Sequence, residues 1–274
     1  MIRLNEREFQ DIVSYMSHNY GINLEKKKVL IECRLAKELE RRNLSAFSDY
    51  LELMKRDRTG ELAEGMISRL TTHYTYFLRE PSHFNVLSSR IFPDLFSRRY
   101  IGNCNIWCAG CSTGEECYGL GMAAAEAKEL NGFGPGIRIL GTDISQDVLD
   151  QAAKAVYSIK ELNRLPAAWQ TKYTNIRDKK TFEINSMIKS TIRFQKHNLM
   201  EPAPGAVKYD LISCRNVMIY FNRESRERLI YNLENALNPG GYLLIGHAEL
   251  LGREETSLEP VVTAVYKKKS DKKG

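Results

Sequence analysis

No run of apolar residues in this 274-residue sequence approaches the roughly 20 that a membrane-spanning helix needs. The start, "MIRLNEREFQDIV", is charged and amphipathic and lacks the apolar core of a signal peptide. Together these absences predict a cytoplasmic protein without direct membrane insertion. Internal repeats are missing, and so is low-complexity sequence apart from the tail "YKKKSDKKG", read as a frayed, solvated end. A disulfide framework is not expected from the six cysteines, which in a cytosolic chain are free thiols or ligands. Charge of one sign is not strongly in excess: 40 Lys and Arg against 34 Asp and Glu leave a net +6. That balance suits an acidic partner and does not call for nucleic acid. What remains is the composition of a soluble globular protein with a real core, 43% hydrophobic and 27% charged.

Residues 1 to about 70 hold no convincing strand but four helical patterns. In the first, Phe9, Ile12, Val13 and Met16 share a face and Gly21 follows the stop. Ile31, Leu35 and Leu39 recur every four residues in the second. The third begins at Ser45 as N-cap and buries Phe47, Tyr50, Leu51 and Met54, and "ELAEGMISRLTTH" is the fourth. After about residue 75 the texture changes to strands alternating with helices: "CNIWCAG", "GIRILGTDIS", "YDLISCRN" and "YLLIGHAE" are strands, the last preceded by a turn at "NPGG". That alternation predicts a parallel sheet covered on both faces by helices. Within it, "KTFEINSMIKSTIRFQKHN" reads as an inserted antiparallel hairpin.

The loop "CAGCSTGEECY", Cys108 to Tyr118, carries the chemistry. A structural zinc site normally takes two Cys pairs, and only Cys108 and Cys111 form one here. Cys104 and Cys108 sit four apart in a strand, roughly 13 Å along it, too far for one tetrahedral ion; no metal is expected. A phosphate loop is also missing, because Gly114 is followed by Glu115 and Glu116 rather than by Lys and a hydroxyl residue. A ligand that tolerates close backbone approach and welcomes acidic company fits better. S-adenosylmethionine has those properties: a sulfonium, an ammonium and a carboxylate, with no phosphate. Gly110 and Gly114 would admit its methionine part, with Glu115 toward its cationic side. Asp143, ending the second strand, would hold the ribose hydroxyls; otherwise it caps the next helix.

At this point "TTHYTYFLRE" (71–80), "AGCSTGEECY" (109–118), "GTDIS" (141–145), "HNL" (197–199) and "CRNVMIYF" (214–221) matter together. Over nearly its whole length the chain resembles the chemotaxis receptor glutamate methyltransferases of the CheR type. The resemblance implies a helical N-terminal domain (1–70), a linker (71–84) and a Rossmann-like methyltransferase domain (85–274) with a small antiparallel β-subdomain at about 173–197. It implies that S-adenosylmethionine is converted to S-adenosylhomocysteine as glutamates of methyl-accepting receptors become methyl esters. His73, Thr75, Arg79, Glu115, Asp143, Asn198, Leu199, Arg215 and Asn216 stand at cofactor positions. Arg79 and Tyr220 stand on the substrate side as catalytic residues. The chain departs from the family pattern at His73, commonly Asn, at Leu78, commonly aromatic, and at Cys117, usually Pro.

Lys27, Arg34, Lys37 and Arg41 form a stripe on the second helix. Given acidic receptor bundles, the resemblance makes this stripe the docking face for the receptor cytoplasmic domain; the plainer alternative is a solvated surface. Some family members also grip a receptor tail peptide through a glycine-containing loop of the subdomain. Lys172 to His197 contain no glycine, so independence of that tether is expected. A monomer is expected separately, although nothing in the sequence fixes the oligomeric state. The alternatives are a methyltransferase of this fold with another substrate and a regulatory module that binds the cofactor without turnover.

Overall fold

The computed structural model describes residues 2–98 and 102–270. The first four helices are α1 (Glu6–Tyr20), α2 (Lys28–Arg41), α3 (Phe47–Arg56) and α4 (Glu61–Leu70). The capping box at the head of α1 is local: the Glu8 N–H donates to the Asn5 side chain, and the Asn5 N–H donates to the Glu8 carboxylate. The apolar faces read from the sequence meet in one core, with Ile12, Met16, Ile31, Leu35, Leu39 and Phe47 all buried. Ser45 is not the cap of α3. Ala46 occupies that position and its N–H donates to Asp49, whose carboxylate also draws the Ser45 hydroxyl from one residue farther out.

Two short helices, α5 (Pro81–Val86) and α6 (Phe92–Arg98), flank a π-helical segment, Leu87–Ile91, and lead into the sheet. Its strands are β1 (Asn103–Ala109), β2 (Gly136–Asp143), β6 (Ile192–Lys196), β7 (Tyr209–Cys214), β8 (Leu237–Ile245), β9 (Glu259–Val262) and β10 (Val265–Lys267), in the order β6-β2-β1-β7-β8-β10-β9. The five strands from β6 to β8 run parallel, and β10 and β9 add antiparallel at one edge. Every residue of β7 is buried, as a central parallel strand covered on both faces requires. The covering helices are α7 (Glu115–Asn131), α8 (Gln146–Lys154) and α12 (Arg223–Ala236). Among the described residues no helix is long and apolar enough to cross a membrane.

A small antiparallel sheet is present, and the first half of the segment expected at 173–197 supplies two of its three strands, paired antiparallel; the third comes from before it. Its order is β3-β5-β4, from β3 (Val156–Ser158), β4 (Thr174–Ile176) and β5 (Thr181–Ile184). The short helices α9 (Ile159–Leu162), α10 (Ala167–Tyr173) and α11 (Ser186–Lys189) surround it. The second half of the expected hairpin, "TIRFQKH", instead supplies β6, paired in parallel with β2 from Ile139 to Asp143. Two β-rich runs close in sequence suggest a hairpin, but Asn185 caps α11 between them and turns the chain back to the main sheet.

Two further expectations change. "NPGG" is not a separate turn: it opens β8, where the Gly240 N–H donates to the Lys268 carbonyl across the strand pair. For the same reason the tail is not frayed from Tyr266. Val265–Lys267 form β10, and Lys268 Nζ reaches the carbonyls of Glu234 and Leu237. Residues 271–274 of that tail lie outside the described residues.

Candidate functional site

A concave site opens at the carboxyl ends of β1, β2 and β7, where an open parallel sheet binds its ligands. Its floor is the β1–α7 loop. Gly110 has φ +77, and a Cβ there would come 2.5 Å from Val217. Gly114 has φ +91, and a Cβ would come 2.8 Å from that of Ala152. Both are conformations that L side chains rarely adopt. The N–H groups of Gly110 and Cys111 both donate to the Thr142 carbonyl, which ties the loop to the end of β2. Non-glycine residues in the left-handed region gather at the site as well: Leu78, Glu80, Ser112 and Asn216 have φ between 50 and 59. Such strain persists where surrounding contacts over-determine the backbone.

Asp143 is 7% exposed and lines the pocket. Its carboxylate accepts the N–H of Ser112 (2.9 Å) and of Ser145 (3.1 Å). A carboxylate offers about four acceptor positions, so capacity for two hydroxyls remains. His73 bridges the linker to this group, with Nε2 2.7 Å from the Thr71 hydroxyl and Nδ1 3.9 Å from Asp143. Thr75, Asn198, Leu199 and Asn216 line the same space. Arg79 does so too, held by the Tyr74 carbonyl and stacked near its ring.

Arg215, its side chain 2% exposed, sits among Glu116 (2.9 Å), Glu80 (3.3 Å) and the Arg79 carbonyl, to which it donates. Glu116 also accepts from Ser213 and Cys108. Two buried atoms on the pocket-lining residues, Arg215 Nε and His197 Nε2, have no hydrogen-bond partner among the described residues. Orphaned buried groups of this kind call for a ligand. With Asp143 for a diol, Arg79 and Arg215 for a carboxylate, and Glu116 for a cationic centre, the donor set fits S-adenosylmethionine.

Glu115 lies off the pocket wall, and its neighbour Glu116 is on it. One residue along a helix turns the side chain by about 100°. Glu115 instead accepts the Thr113 hydroxyl at 2.7 Å, and desolvation raises its pKa.

The opposite wall comes from the helical part. Tyr20, Ile22, Leu24 and Lys27 line the pocket. Ile22 forms an antiparallel bridge with Phe221, and the Asn23 N–H donates to the Tyr220 carbonyl at 2.8 Å. Tyr220 ends a 3-10 turn, Met218–Tyr220, that hangs from Glu249. Glu249, 0% exposed, accepts the N–H of Asn216 (2.7 Å), Gly246 (2.8 Å) and Ile219 (3.2 Å). No local motif marks Glu249 in the sequence; it follows Asn216 by 33 residues.

The basic stripe divides. Lys27 and Lys37 are exposed. Arg34 turns inward, donating to the carbonyls of Arg69 (3.0 Å) and Thr71 (2.7 Å). Arg41 binds Glu38, which also holds Arg42 and Arg69. Among the loop thiols, the hydrogen bond from Cys117 lowers the Cys108 pKa, but burial and Glu116 outweigh it and push the value up to about 12. Burial pushes Cys117 well up. Of the six cysteines only Cys33 is exposed, and the other five are buried. One potential metal-binding group, Glu80, His83 and His247, lies beside Arg215.

Against known proteins, the family model described as CheR methyltransferase, SAM binding domain, matches residues 73–267. The model described as CheR methyltransferase, all-alpha domain, matches residues 7–71. A chemotaxis protein methyltransferase of Borreliella burgdorferi is 37% identical over 273 residues, covering 97% of this chain and 96% of the relative. One from Vibrio anguillarum is 30% identical over 254 residues, covering 91% of each.

Proposed function

Because the chain belongs to the CheR methyltransferase family, whose members methylate in chemotaxis with S-adenosylmethionine as cofactor, we propose that it esterifies glutamate side chains on methyl-accepting receptors. The observation that carries this reading is the junction at Tyr220. Its side chain lines the pocket beside Arg79 and Asp143, while its backbone is stitched to the helical part at Asn23. An acceptor residue borne by a protein that leans on the helical part would enter there.

The chemistry asks little of the enzyme beyond placement. The cofactor supplies a methyl group on a sulfonium centre. A glutamate side chain has an ordinary pKa of about 4.3 and is already an anion at neutral pH, so no general base is required. Asp143 and Asn198 would hold the nucleoside part, and Glu116 and Arg215 would flank the methionine part. Arg79 would attract the incoming carboxylate, and the Tyr220 hydroxyl would help to orient it toward the methyl group the cofactor supplies. Alignment of this kind supplies roughly 7–11 kcal/mol of the barrier lowering.

Docking falls to the exposed cations Lys27 and Lys37, with Arg41 at the end of the stripe. The antiparallel subdomain, Val156 to Ile184, contains no glycine, which supports action without a receptor tail peptide. Incubation of receptor-containing membranes with tritiated S-adenosylmethionine is the test. Base-labile methanol should be released from the receptor band; label that stays on protein after base treatment rules out the ester.

A further inference from the structure

We propose that Glu80, His83 and His247 bind a divalent first-row transition-metal ion of the zinc class, directly behind the methyl-transfer pocket. Glu80 is the N-cap of α5 and His83 lies three residues on, so both donors stand on one face of that turn. His247 arrives from the far side of the domain, two residues past β8. One donor atom from each lies within 4.8 Å of the other two, and among the described residues this is the one such group.

The Glu80–His83 spacing suits coordination, and His247 lies within 4.8 Å of both. Ligands about 2.0–2.1 Å from a tetrahedral ion stand roughly 3.3–3.4 Å apart. His83 Nδ1 is 3.3 Å from Glu80 Oε2, and the two imidazole rings have centroids 4.7 Å apart, edge to face.

A second observation points to a ligand. His83 is 1% exposed, and among the described residues neither of its ring nitrogens makes a hydrogen bond, Nδ1 having only the Glu80 carboxylate at 3.3 Å beside it. A buried imidazole left without partners loses its hydration and gains nothing in exchange. An ion would take one nitrogen's lone pair. Two imidazoles with one carboxylate favour zinc, iron, cobalt or nickel over magnesium or calcium, which prefer all-oxygen shells. His247 is exposed, leaving an entry path and an open coordination position, with the Ser82 hydroxyl 3.3 Å from its Nε2.

The outer contacts tie the ion to the pocket. Glu80 accepts from Asn216 Nδ2 (3.2 Å) and the His247 N–H (3.3 Å), and pairs with Arg215. Such partners orient a metal-bound carboxylate. Arg215 keeps a second carboxylate, Glu116, when Glu80 is shared with the ion.

The test uses the full chain without a polyhistidine tag, stripped with a chelator, loaded with zinc and freed of excess. Elemental analysis should find one zinc per chain, and cobalt loading should give visible d–d bands. Loss of an outer partner alone weakens metal binding roughly 10–100-fold, so His247→Ala should weaken zinc binding at least about a hundredfold. That side chain is exposed, and the variant's unfolding midpoint in chelator should match wild type. Cys108→Ser with Cys111→Ser should keep the zinc. Absence of retained zinc, undiminished binding in His247→Ala, or binding abolished by the cysteine variant would each overturn the proposal.

Discussion

Glu249 closes on the backbone N–H of Asn216 at 2.7 Å from a position with no solvent exposure. Two more backbone donors, from Gly246 and Ile219, complete its shell, so one carboxylate suspends the segment that presents Asn216 and Tyr220. Glu249→Gln turns an acceptor oxygen into a donor facing an N–H. Hydrogen bonds to a charged group contribute about 1.5–3 kcal/mol. The variant should fold with a lower unfolding midpoint and lose turnover tenfold or more, while Asp143 keeps most of the S-adenosylhomocysteine affinity. Wild-type turnover would remove Glu249 from any positioning role.

Asp143 both lines the pocket and anchors the Ser112 and Ser145 backbones. Asp143→Ala should weaken S-adenosylhomocysteine roughly tenfold to a hundredfold, the range of about 1.5–3 kcal/mol for hydrogen bonding to a charged group. Calorimetric titration reads this directly, and unchanged affinity excludes Asp143 from the ligand contact.

Arg34 and Lys37 sit on one stripe but should behave differently. Arg34→Glu breaks bonds to the Arg69 and Thr71 carbonyls and should lower the unfolding midpoint. Lys37→Glu should leave the midpoint unchanged and slow receptor methylation. That slowing should fade as salt rises, because exposed charges are screened within about 8–10 Å at 0.1–0.15 M. Equal rates for Lys37→Glu and wild type at low salt would leave the stripe as ordinary surface.

Glu38 gives the helical part an acid-sensitive lock. Hydrogen bonds from Arg41, outweighing burial, and help from Arg42 and Arg69 hold its pKa at about 2, below the ordinary 4.5. A folded-state pKa below the unfolded one contributes stability that is complete above about 4.5 and drains away as pH falls toward 2. Unfolding midpoints followed from pH 6 to pH 3 should fall more steeply in wild type than in Glu38→Gln. Parallel curves would contradict this assignment.

Thiol labelling offers a quick check of the loop. Five cysteines are buried and one, Cys33, is exposed. Native protein should react with one equivalent of a thiol reagent and, after denaturation, with six. A second fast thiol in native protein, lost in Cys111→Ser, would mean that the loop opens in solution.

Much of this was legible in the chain. Strands β1, β2 and β7 announce themselves as short apolar runs ending in polar residues, and Gly110 and Gly114 mark a loop of close approach. The long apolar-faced helices α1 to α3 are periodic enough to read directly. What stayed hidden depends on contacts between distant segments. Nothing near Glu249 says that it will meet Asn216, and His83 and His247 are neighbours only once β8 is in place. Glu115 and Glu116 are chemically equal in sequence, and helix phase alone separates them. Arg34 reads as a surface cation because its carbonyl partners, Arg69 and Thr71, belong to another helix end.

The bridge between Ile22 and Phe221 bears on how such enzymes diversify. A helical part borrowed from a relative would bring its own edge at residues 20–24 and would have to mate with the segment carrying Tyr220. A graft chosen for a new receptor would therefore disturb the reacting centre unless both sides of that seam were exchanged together. If the proposed docking and active-site roles hold, receptor choice and methyl-transfer geometry would be inherited as one unit, although they reside in separate stretches of the chain.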